Sequence, residues 1–307
     1  MLKVCVTGAT GFIGRRLCEK LLANGVTVYG VGRNQKVLDE LGNSKRFHGI
    51  VLDFSEYEKL SKIIKDRDFD VFFHLANWGV NGDDKSNYEI QLQNVKIACD
   101  AVKIANVLGC RRFVFIGSVD EFEIDGRPDD RYIQPTHSRI YGVAKLAAEE
   151  MGKVIATKLG IEYVTALLAL TYGEHNNTNI LPNVIIRNSF NGKPVDLIEG
   201  NSTFDMIYVD EAVGGILAIA EEGLNLESYY VGHSNVRTFK EIVEEINSSL
   251  ENPVELRFGV YKDKGNPIDF SKINREKLFL DTGYECNIEL KEGISNTYNW
   301  IKEQYII

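Results

Sequence analysis

The stretch Leu2-Lys-Val-Cys-Val-Thr7-Gly8-Ala-Thr-Gly11-Phe-Ile-Gly14 decides the fold. An apolar, strand-like run leads into it, and a helical pattern follows. Gly8 permits a tight turn, Gly11 lets a pyrophosphate approach the backbone, and Gly14 lets the helix pack closely on the strand. Free N–H groups at the helix N-terminus then attract phosphate. The stretch therefore predicts a dinucleotide-binding turn, with contacts from Gly8, Thr10, Gly11, Phe12, Ile13 and Gly14.

Apolar runs and helical patterns alternate through the first half of the chain. Strands are expected at 2–7, 26–31, 47–52, 70–75, 112–116 and 161–168, and helices at 12–23, from about 56, 86–107 and 138–159. Near-continuous apolar strands separated by helices predict an α/β Rossmann fold, a doubly wound parallel sheet. Further helices are expected at 180–191, 210–222, 238–249 and 290–304. We expect a dinucleotide-binding domain over 1–170, completed by segments near 203–235, and a smaller C-terminal substrate-binding α/β part over 171–307.

Composition excludes several classes of function. The chain has 307 residues, 44% hydrophobic and 26% charged, with a net charge of -9, so a nucleic-acid partner is not expected. No apolar run reaches the roughly 18 residues of a membrane span, and no secretory leader pattern is present. The five cysteines are scattered without metal-ligand spacing, which predicts reduced thiols, no metal site and a cytoplasmic protein.

The end of the second strand bears on the choice of cofactor. An acidic residue there would bind the ribose 2′-hydroxyl of NAD, but the strand ends in Gly32-Arg33. Arg33 could pair with a 2′-phosphate, which favours NADP(H). A surface arginine in an NAD(H) enzyme is the alternative. Asp53, followed by Phe54 after the third strand, is placed to reach the adenine.

A tyrosine and a lysine are spaced for acid–base chemistry. In Tyr141-Gly-Val-Ala-Lys145 the interval of four puts both side chains on one helix face. A nearby ammonium lowers the pKa of a phenol, which makes tyrosine a usable proton donor or acceptor. Ser118, just after the fifth strand, could hydrogen-bond a carbonyl or hydroxyl. An exposed amphipathic pair and a turn-capping serine are the structural alternatives.

These motifs occur together in one known family. The chain resembles the extended short-chain dehydrogenase/reductase family, which includes nucleotide-sugar epimerases, dehydratases and reductases. The matching segments are GATGFIG at 8–14, VLD at 51–53, HLA at 74–76, Asn94, GS at 117–118, YGVAK at 141–145, TYG at 171–173 and IYVDEA at 207–212.

The resemblance implies roles for individual residues. Tyr141 would be the catalytic acid/base, Lys145 would lower its pKa and bind the nicotinamide ribose, and Ser118 would orient the reacting oxygen. Two further sets follow from the same motifs. Leu75 and Ala76 would line the cofactor channel, and Asn94 would support the active-site helix and belong to the cofactor site.

Departures from the family pattern bear on the reaction. The segment Ser118-Val-Asp120-Glu121-Phe122 resembles the SxDEYG of reductases that act on nucleotide-linked 4-keto-6-deoxyhexoses, and Asp120 falls where dehydratases have a glutamate base. Leu170 and Phe204 replace an asparagine and an arginine that commonly touch the sugar-nucleotide diphosphate. Candidate replacements for that phosphate contact are Arg187, Arg237, Arg257 and Lys262.

The expected function is NAD(P)H-dependent reduction of a nucleotide-linked 4-keto-6-deoxyhexose by Ser118, Tyr141 and Lys145. The first alternative is a UDP-sugar 4-epimerase that retains NAD, and a remote one is a non-catalytic, cofactor-binding regulator. The expected partners are a nucleotide-sugar substrate and a second copy of the chain. The apolar faces of the helices at 86–107 and 138–159 predict a homodimer.

Overall fold

The computed structural model describes residues 1–124, 138–262, 268 and 270–305. Its strands are β1 (Lys3–Thr7), β2 (Thr27–Gly32), β3 (Phe47–Val51), β4 (Val71–His74), β5 (Arg112–Ser118), β6 (Glu162–Leu168), β7 (Leu170–Tyr172), β8 (Val195–Asp196), β9 (Thr203–Phe204), β10 (Met206–Tyr208), β11 (Ser228–Val231), β12 (Arg237–Thr238) and β13 (Leu256–Arg257). Its α-helices are α1 (Phe12–Ala23), α2 (Gln35–Leu41), α3 (Leu60–Ile63), α4 (Tyr88–Val107), α5 (Ser138–Leu159), α6 (Leu181–Asn191), α7 (Val209–Glu222), α8 (Phe239–Ser248), α9 (Lys277–Thr282) and α10 (Leu290–Tyr305). Short 3₁₀-helices are η1 (Phe54–Lys59), η2 (Gly82–Ser86), η3 (Val119–Glu123) and η4 (Phe270–Lys272).

Seven strands form one sheet in the order β11-β6-β5-β4-β1-β2-β3, and every pairing in it is parallel. The doubly wound Rossmann sheet is therefore confirmed. Strand order reverses between β1 and β4, which separates the loops after these strands and opens a crevice at their carboxyl ends. The glycine turn and Leu75 follow strands at this edge, and Ser118 is the last residue of β5 there.

The two faces of the sheet bury different cores, because successive side chains of a strand point in opposite directions. Val4 and Val6 of β1 face the layer that contains α1 and α7, whereas Cys5 faces α4 and α5. On the second face, aromatic rings of β4, β5 and β6 stack across the strands with centroids 5.4 and 5.3 Å apart. Burial on both faces explains the near-continuous apolar strands in the sequence.

A third core lies in the C-terminal part, among α6, α8 and α10. The chain does not leave the sheet permanently at β6, since β11 returns and pairs with β6 from Ser228↔Thr165 to Val231↔Leu168. The segment near 203–235 thus contributes a strand to the sheet, while the division into 1–170 and 171–307 stays a prediction.

Two helix starts differ from the sequence prediction. The helix expected from about residue 56 is η1 followed by the four-residue α3, since Asp53 accepts the N–H of Ser55 and Glu56 leaves helical geometry with φ -115° and ψ 20°. The helix expected at 86 begins instead at Tyr88. Asn87 caps it by accepting the N–H groups of Glu89 and Ile90.

Candidate active site

The glycine turn leaves no room for side chains at two positions. Gly8 has φ +77°, and a Cβ there would lie 2.8 Å from the backbone nitrogen of Ala76. A Cβ on Gly14 would lie 2.1 Å from the carbonyl oxygen of Gly8. Helix α1 therefore starts directly against the turn, because glycines at these two positions have no side chain to keep the backbones apart.

The N-terminus of α1 is free to bind an anion. Its N-cap is Gly11, no side chain caps it, and its first turn contains no acidic residue. Gly8, Gly11, Phe12, Ile13 and Gly14 line one wall of a cleft of about 760 Å³. Uncapped N–H groups and the positive end of the helix dipole fit a pyrophosphate, so the residues present fit a bound dinucleotide.

Some of the other cofactor candidates line the cleft, and others pack against glycine residues. Leu75, Tyr141 and Lys145 line the cleft together with the glycine turn. Thr10 packs against Gly32, where a Cβ would lie 2.5 Å from the threonine side chain, and Ala76 abuts Gly8.

Asn94 lies on α4 outside the cleft lining. Its side-chain amide makes two hydrogen bonds with the backbone of Trp78. Oδ1 accepts the N–H of Trp78 at 3.0 Å, and Nδ2 donates to the carbonyl oxygen of Trp78 at 2.9 Å. Asn94 therefore holds the loop after β4, and its place in the cofactor site stays a prediction.

Arg33, Asp53 and Phe54 meet where β2 and β3 end. The Arg33 guanidinium lies 3.9 Å from the Asp53 carboxylate and 5.3 Å from the centre of the Phe54 ring. Hydrogen bonds from Ser55 lower the pKa of Asp53, with a smaller contribution from Arg33. The arginine that could face a 2′-phosphate is therefore already beside a carboxylate, and its side chain is 57% exposed.

Ser118, Tyr141 and Lys145 come together at the end of β5 and line the cleft. The Lys145 ammonium donates to the carbonyl oxygen of Ile116 at 2.8 Å and lies 5.7 Å from the centre of the Tyr141 ring. A Cβ on Gly142 would be 2.4 Å from the carbonyl oxygen of Asp120, so η3 packs directly on α5 beside Tyr141. The exposed amphipathic pair is excluded, because Tyr141 and Lys145 are both buried.

Ser118 does cap η3. Its Oγ accepts the N–H of Asp120 at 3.2 Å and lies 3.1 Å from Asp120 Oδ2, while its own N–H donates to Glu121 Oε1 at 2.8 Å. Capping and a role toward a ligand are compatible here, since Ser118 also lines the cleft.

Burial dominates the titration of the pair. It raises the pKa of Tyr141, and the charges of Asp120 and Glu121 raise it further, against a hydrogen bond from Ser118. It lowers the pKa of Lys145 to about 8, against the charges of Glu121 and Asp120. The net direction at Tyr141 is thus upward, whereas proximity to Lys145 alone predicts a lowering.

Sequence reasoning missed Lys85 on η2. Its ammonium pairs with Asp120 Oδ2 at 2.8 Å and lies 5.0 Å from the centre of the Tyr141 ring, in the lining of the cleft. No local motif marks this lysine, because its partners lie on other segments of the chain. The glycines at 79 and 82, which signal a turn, are the nearest indication.

The cleft lining differs from the expectation about phosphate contacts. Leu170 and Phe204 do line it, with Phe239 packed edge-on against Phe204 at 5.5 Å. Among the described residues of the lining, the cations are Lys85 and Lys145. The four residues expected to replace the phosphate contact do not line the cleft, and this corrects the expectation. Three of them have partners elsewhere: Arg187 binds Asn179, Arg237 binds Glu245 and Arg257 binds Asp196.

No group of three or more His, Cys, Asp or Glu side chains could hold a metal ion within the part of the chain that the structure describes. Over the same residues, no helix combines the length and apolar character needed to cross a membrane.

The fold and the cleft define an enzyme-like dinucleotide-binding protein, and sequence comparison defines the family. Residues 4–232 match the model of the NAD dependent epimerase/dehydratase family, so the chain belongs to that family. An uncharacterized UDP-glucose epimerase of Bacillus subtilis is 26% identical over 99% of both chains. GDP-mannose 3,5-epimerase of Arabidopsis thaliana is 26% identical over 99% of this chain and 83% of its own.

The fold is shared with solved structures. UDP-glucuronic acid 4-epimerase of Bacillus cereus, in complex with UDP-glucuronic acid and NAD, superposes with a TM-score of 0.80 at 23% identity. The superposition covers 99% of this chain and 100% of the other. The family match and the sequence relatives confirm the predicted membership of the extended short-chain dehydrogenase/reductase group.

Proposed function

We propose that the protein is a nucleotide-sugar 4-epimerase that oxidises a sugar hydroxyl and reduces the resulting ketone with a retained dinucleotide. The observation that carries this proposal is the convergence of Ser118, Tyr141 and Lys145 on one wall of the cleft. The uncapped N-terminus of α1 lines the same cleft. The same cleft therefore offers proton-transfer groups beside a place for a pyrophosphate.

Each residue of the site has a separate role in the proposed reaction. A dinucleotide held by the glycine turn and Lys145 would supply a hydride acceptor for oxidation of the sugar carbon and a hydride donor for its reduction. Tyr141 takes the hydroxyl proton during oxidation and gives it back during reduction. Ser118 hydrogen-bonds the same oxygen as it changes between hydroxyl and carbonyl, and the Lys145 ammonium, held by the Ile116 carbonyl, favours the phenolate.

Epimerase and reductase make different use of this site. The reductase expected from the Asp120-Glu121 segment is the second candidate, and Arg33 at the end of β2 favours it because net reduction draws on free NADPH. The relatives named above and the Bacillus cereus neighbour, with its NAD, support the epimerase. The Asp53 carboxylate, 3.9 Å from Arg33, also opposes a 2′-phosphate at that point. We therefore propose NAD(H) as the cofactor, with NADP(H) as the alternative.

The deciding experiment begins with the purified protein. It is denatured, and the released dinucleotide is identified and counted by chromatography. We expect close to one NAD per chain and turnover of a UDP-sugar without added cofactor. Stoichiometric consumption of NADPH with nucleotide-linked 4-keto-6-deoxysugars, and no retained NAD, would establish the reductase instead.

Tyr141→Phe tests the mechanism in either case. Removal of the proton-transfer group is expected to lower kcat by roughly 10²–10⁴-fold. Dinucleotide affinity, measured by calorimetry, should change little because the phenol ring remains. Near-normal turnover by the variant would show that another group transfers the proton.

We also propose a homodimer in the cytoplasm. Large apolar side chains stand exposed on α4 and α5: Tyr88, Leu92, Val107, Val143, Met151 and Val154. The two helices pack against each other, and we infer that a second copy of the chain covers their exposed apolar side chains. The five cysteines are free, as expected in a reducing compartment.

A further inference from the structure

Two ammonium groups lie near the Tyr141 ring. Lys145 approaches from α5 at 5.7 Å and Lys85 from η2 at 5.0 Å, both measured to the ring centre. The hydride-transfer mechanism uses Lys145 and leaves Lys85 without a role. Lys85 nevertheless lines the cleft and binds Asp120, which in turn contacts Ser118.

Lys85 is held in place from α4. Buried Gln91 donates to the carbonyl oxygens of Gly79 at 2.9 Å and Asp84 at 3.1 Å, immediately before Lys85. Gly79 has φ +58°, and a Cβ there would lie 2.8 Å from the Asp84 carbonyl oxygen. The loop is therefore tightly folded, and a buried amide fixes the position from which the lysine reaches Asp120.

We propose that Lys85 is a positioning residue of the active site: its ammonium holds the Asp120 carboxylate beside Ser118 and offsets the negative charge of that carboxylate near the Tyr141 phenol. This inference rests on the proposed function, since it concerns the same proton transfer. Asp120 Oδ2 is the atom that both Lys85 Nζ, at 2.8 Å, and Ser118 Oγ, at 3.1 Å, approach. Without the lysine, Ser118 would be the donor left to that carboxylate among the residues that the structure describes.

Charge near the phenol gives the direction of the effect. The carboxyl groups of Asp120 and Glu121 on η3 lie near Tyr141. The negative charge of each raises the pKa of the Tyr141 phenol. Lys145 and Lys85 are the facing cations from α5 and η2. His74 of β4 is uncharged near neutral pH, because burial lowers its pKa to about 3. Loss of the Lys85 charge would leave Asp120 uncompensated beside the phenol and favour its protonated form.

The test is the pH dependence of kcat in Lys85→Met, with Lys85→Arg as the matched charge-preserving variant. The rise that reports ionisation of Tyr141 should move to higher pH by about one unit in Lys85→Met, the order expected for loss of a unit charge about 5 Å from the ring. Lys85→Arg should keep the wild-type profile. Lys96→Met removes an exposed lysine paired with Asp100 and controls for loss of any surface ion pair.

A second change identifies the partner through which Lys85 acts. In Lys85→Met/Asp120→Asn the uncompensated carboxylate is gone, so the profile should return toward that of the wild type. An unshifted profile in Lys85→Met would overturn the proposal, as would an equal shift in Lys85→Arg. A double variant that stays shifted would show that Asp120 is not the partner and would also overturn it.

One measurement separates this inference from the proposed function. If the wild type turns over no nucleotide sugar, the proposed function fails, but ¹³C-tyrosine NMR of the NAD-bound enzyme still reports the titration of Tyr141. Tyr141→Phe assigns the resonance. A titration midpoint that is higher in Lys85→Met than in the wild type supports the inference, and identical midpoints contradict it.

Discussion

Gly14→Ala places a methyl group where α1 meets the glycine turn. In a helix this substitution normally stabilises by about 1 kcal/mol. Here the new Cβ would lie 2.1 Å from the Gly8 carbonyl oxygen and 2.8 Å from its carbonyl carbon. Comfortable contact needs about 3.5 Å, so roughly 1.4 Å must be made up. Both sides of the contact are backbone, and therefore α1 must move away from the turn.

That movement displaces the N–H groups that would bind the pyrophosphate. Displacement of these N–H groups by about 1 Å should lower the affinity for the dinucleotide on the order of 100-fold. This corresponds to about 2.8 kcal/mol of binding free energy. The overpacking itself should destabilise the fold by about 1–3 kcal/mol, or a few degrees in Tm. The sign is thus opposite to the one that helix propensity predicts.

Calorimetric titration of NAD, after removal of any copurified dinucleotide, measures the loss of affinity, and thermal unfolding followed by circular dichroism measures stability. The matched control is Gly25→Ala, beyond the other end of the same helix. Gly25 has φ +76° with nothing within 4 Å of its Cβ position, so it should lose about 1–2 kcal/mol of stability but no affinity. Wild-type affinity in Gly14→Ala, or equal loss in both variants, would refute the reasoning.

Ser118→Ala should lower kcat by about 10²-fold while calorimetry finds unchanged NAD affinity, because one hydrogen bond to the reacting oxygen is lost; unaltered kcat would limit Ser118 to capping. Met151→Glu should convert a dimer to a monomer in sedimentation velocity, and a monomeric wild type would contradict the proposed interface. For His233, burial lowers the pKa, but Asp205, 3.1 Å away, and Glu211 outweigh burial and raise it. The protonated form therefore stabilises the fold below the unfolded pKa of about 6.5, and this is lost as pH rises through the higher folded pKa. Urea unfolding should show His233→Asn destabilised by about 1–2 kcal/mol at pH 6 and by less at pH 9, and equal losses at both pH values would contradict this.

The parallel sheet could be predicted because its signal is local. Strands buried on both faces are continuously apolar, and the helices between them keep a period near 3.6. Predicted and observed bounds agree for α1, which spans Phe12–Ala23, and for α5, which spans Ser138–Leu159. The start of η1 could not be placed from periodicity, because a single capping carboxylate at Asp53 and a departure from helical geometry at Glu56 decide it.

Some contacts of the candidate site could likewise be predicted from local sequence, and others could not. Tyr141 and Lys145 are four residues apart on one helix, and helix geometry alone brings them to one face. The contacts of Asn94 with the backbone of Trp78, and of Arg33 with Asp53, depend on where separate loops meet after folding.

The sequence by itself determined the dinucleotide turn at Gly8, Gly11 and Gly14, since backbone sterics at those positions involve near neighbours in the chain. Only the tertiary structure decided that Lys85 lies beside Tyr141 and holds Asp120, 35 residues further along the chain. The loops after β4 and β5 meet because their strands are adjacent in the sheet. The physical reason is the range of the interactions: steric and periodic effects act over a few residues, whereas an ion pair between loops exists only after the sheet has packed.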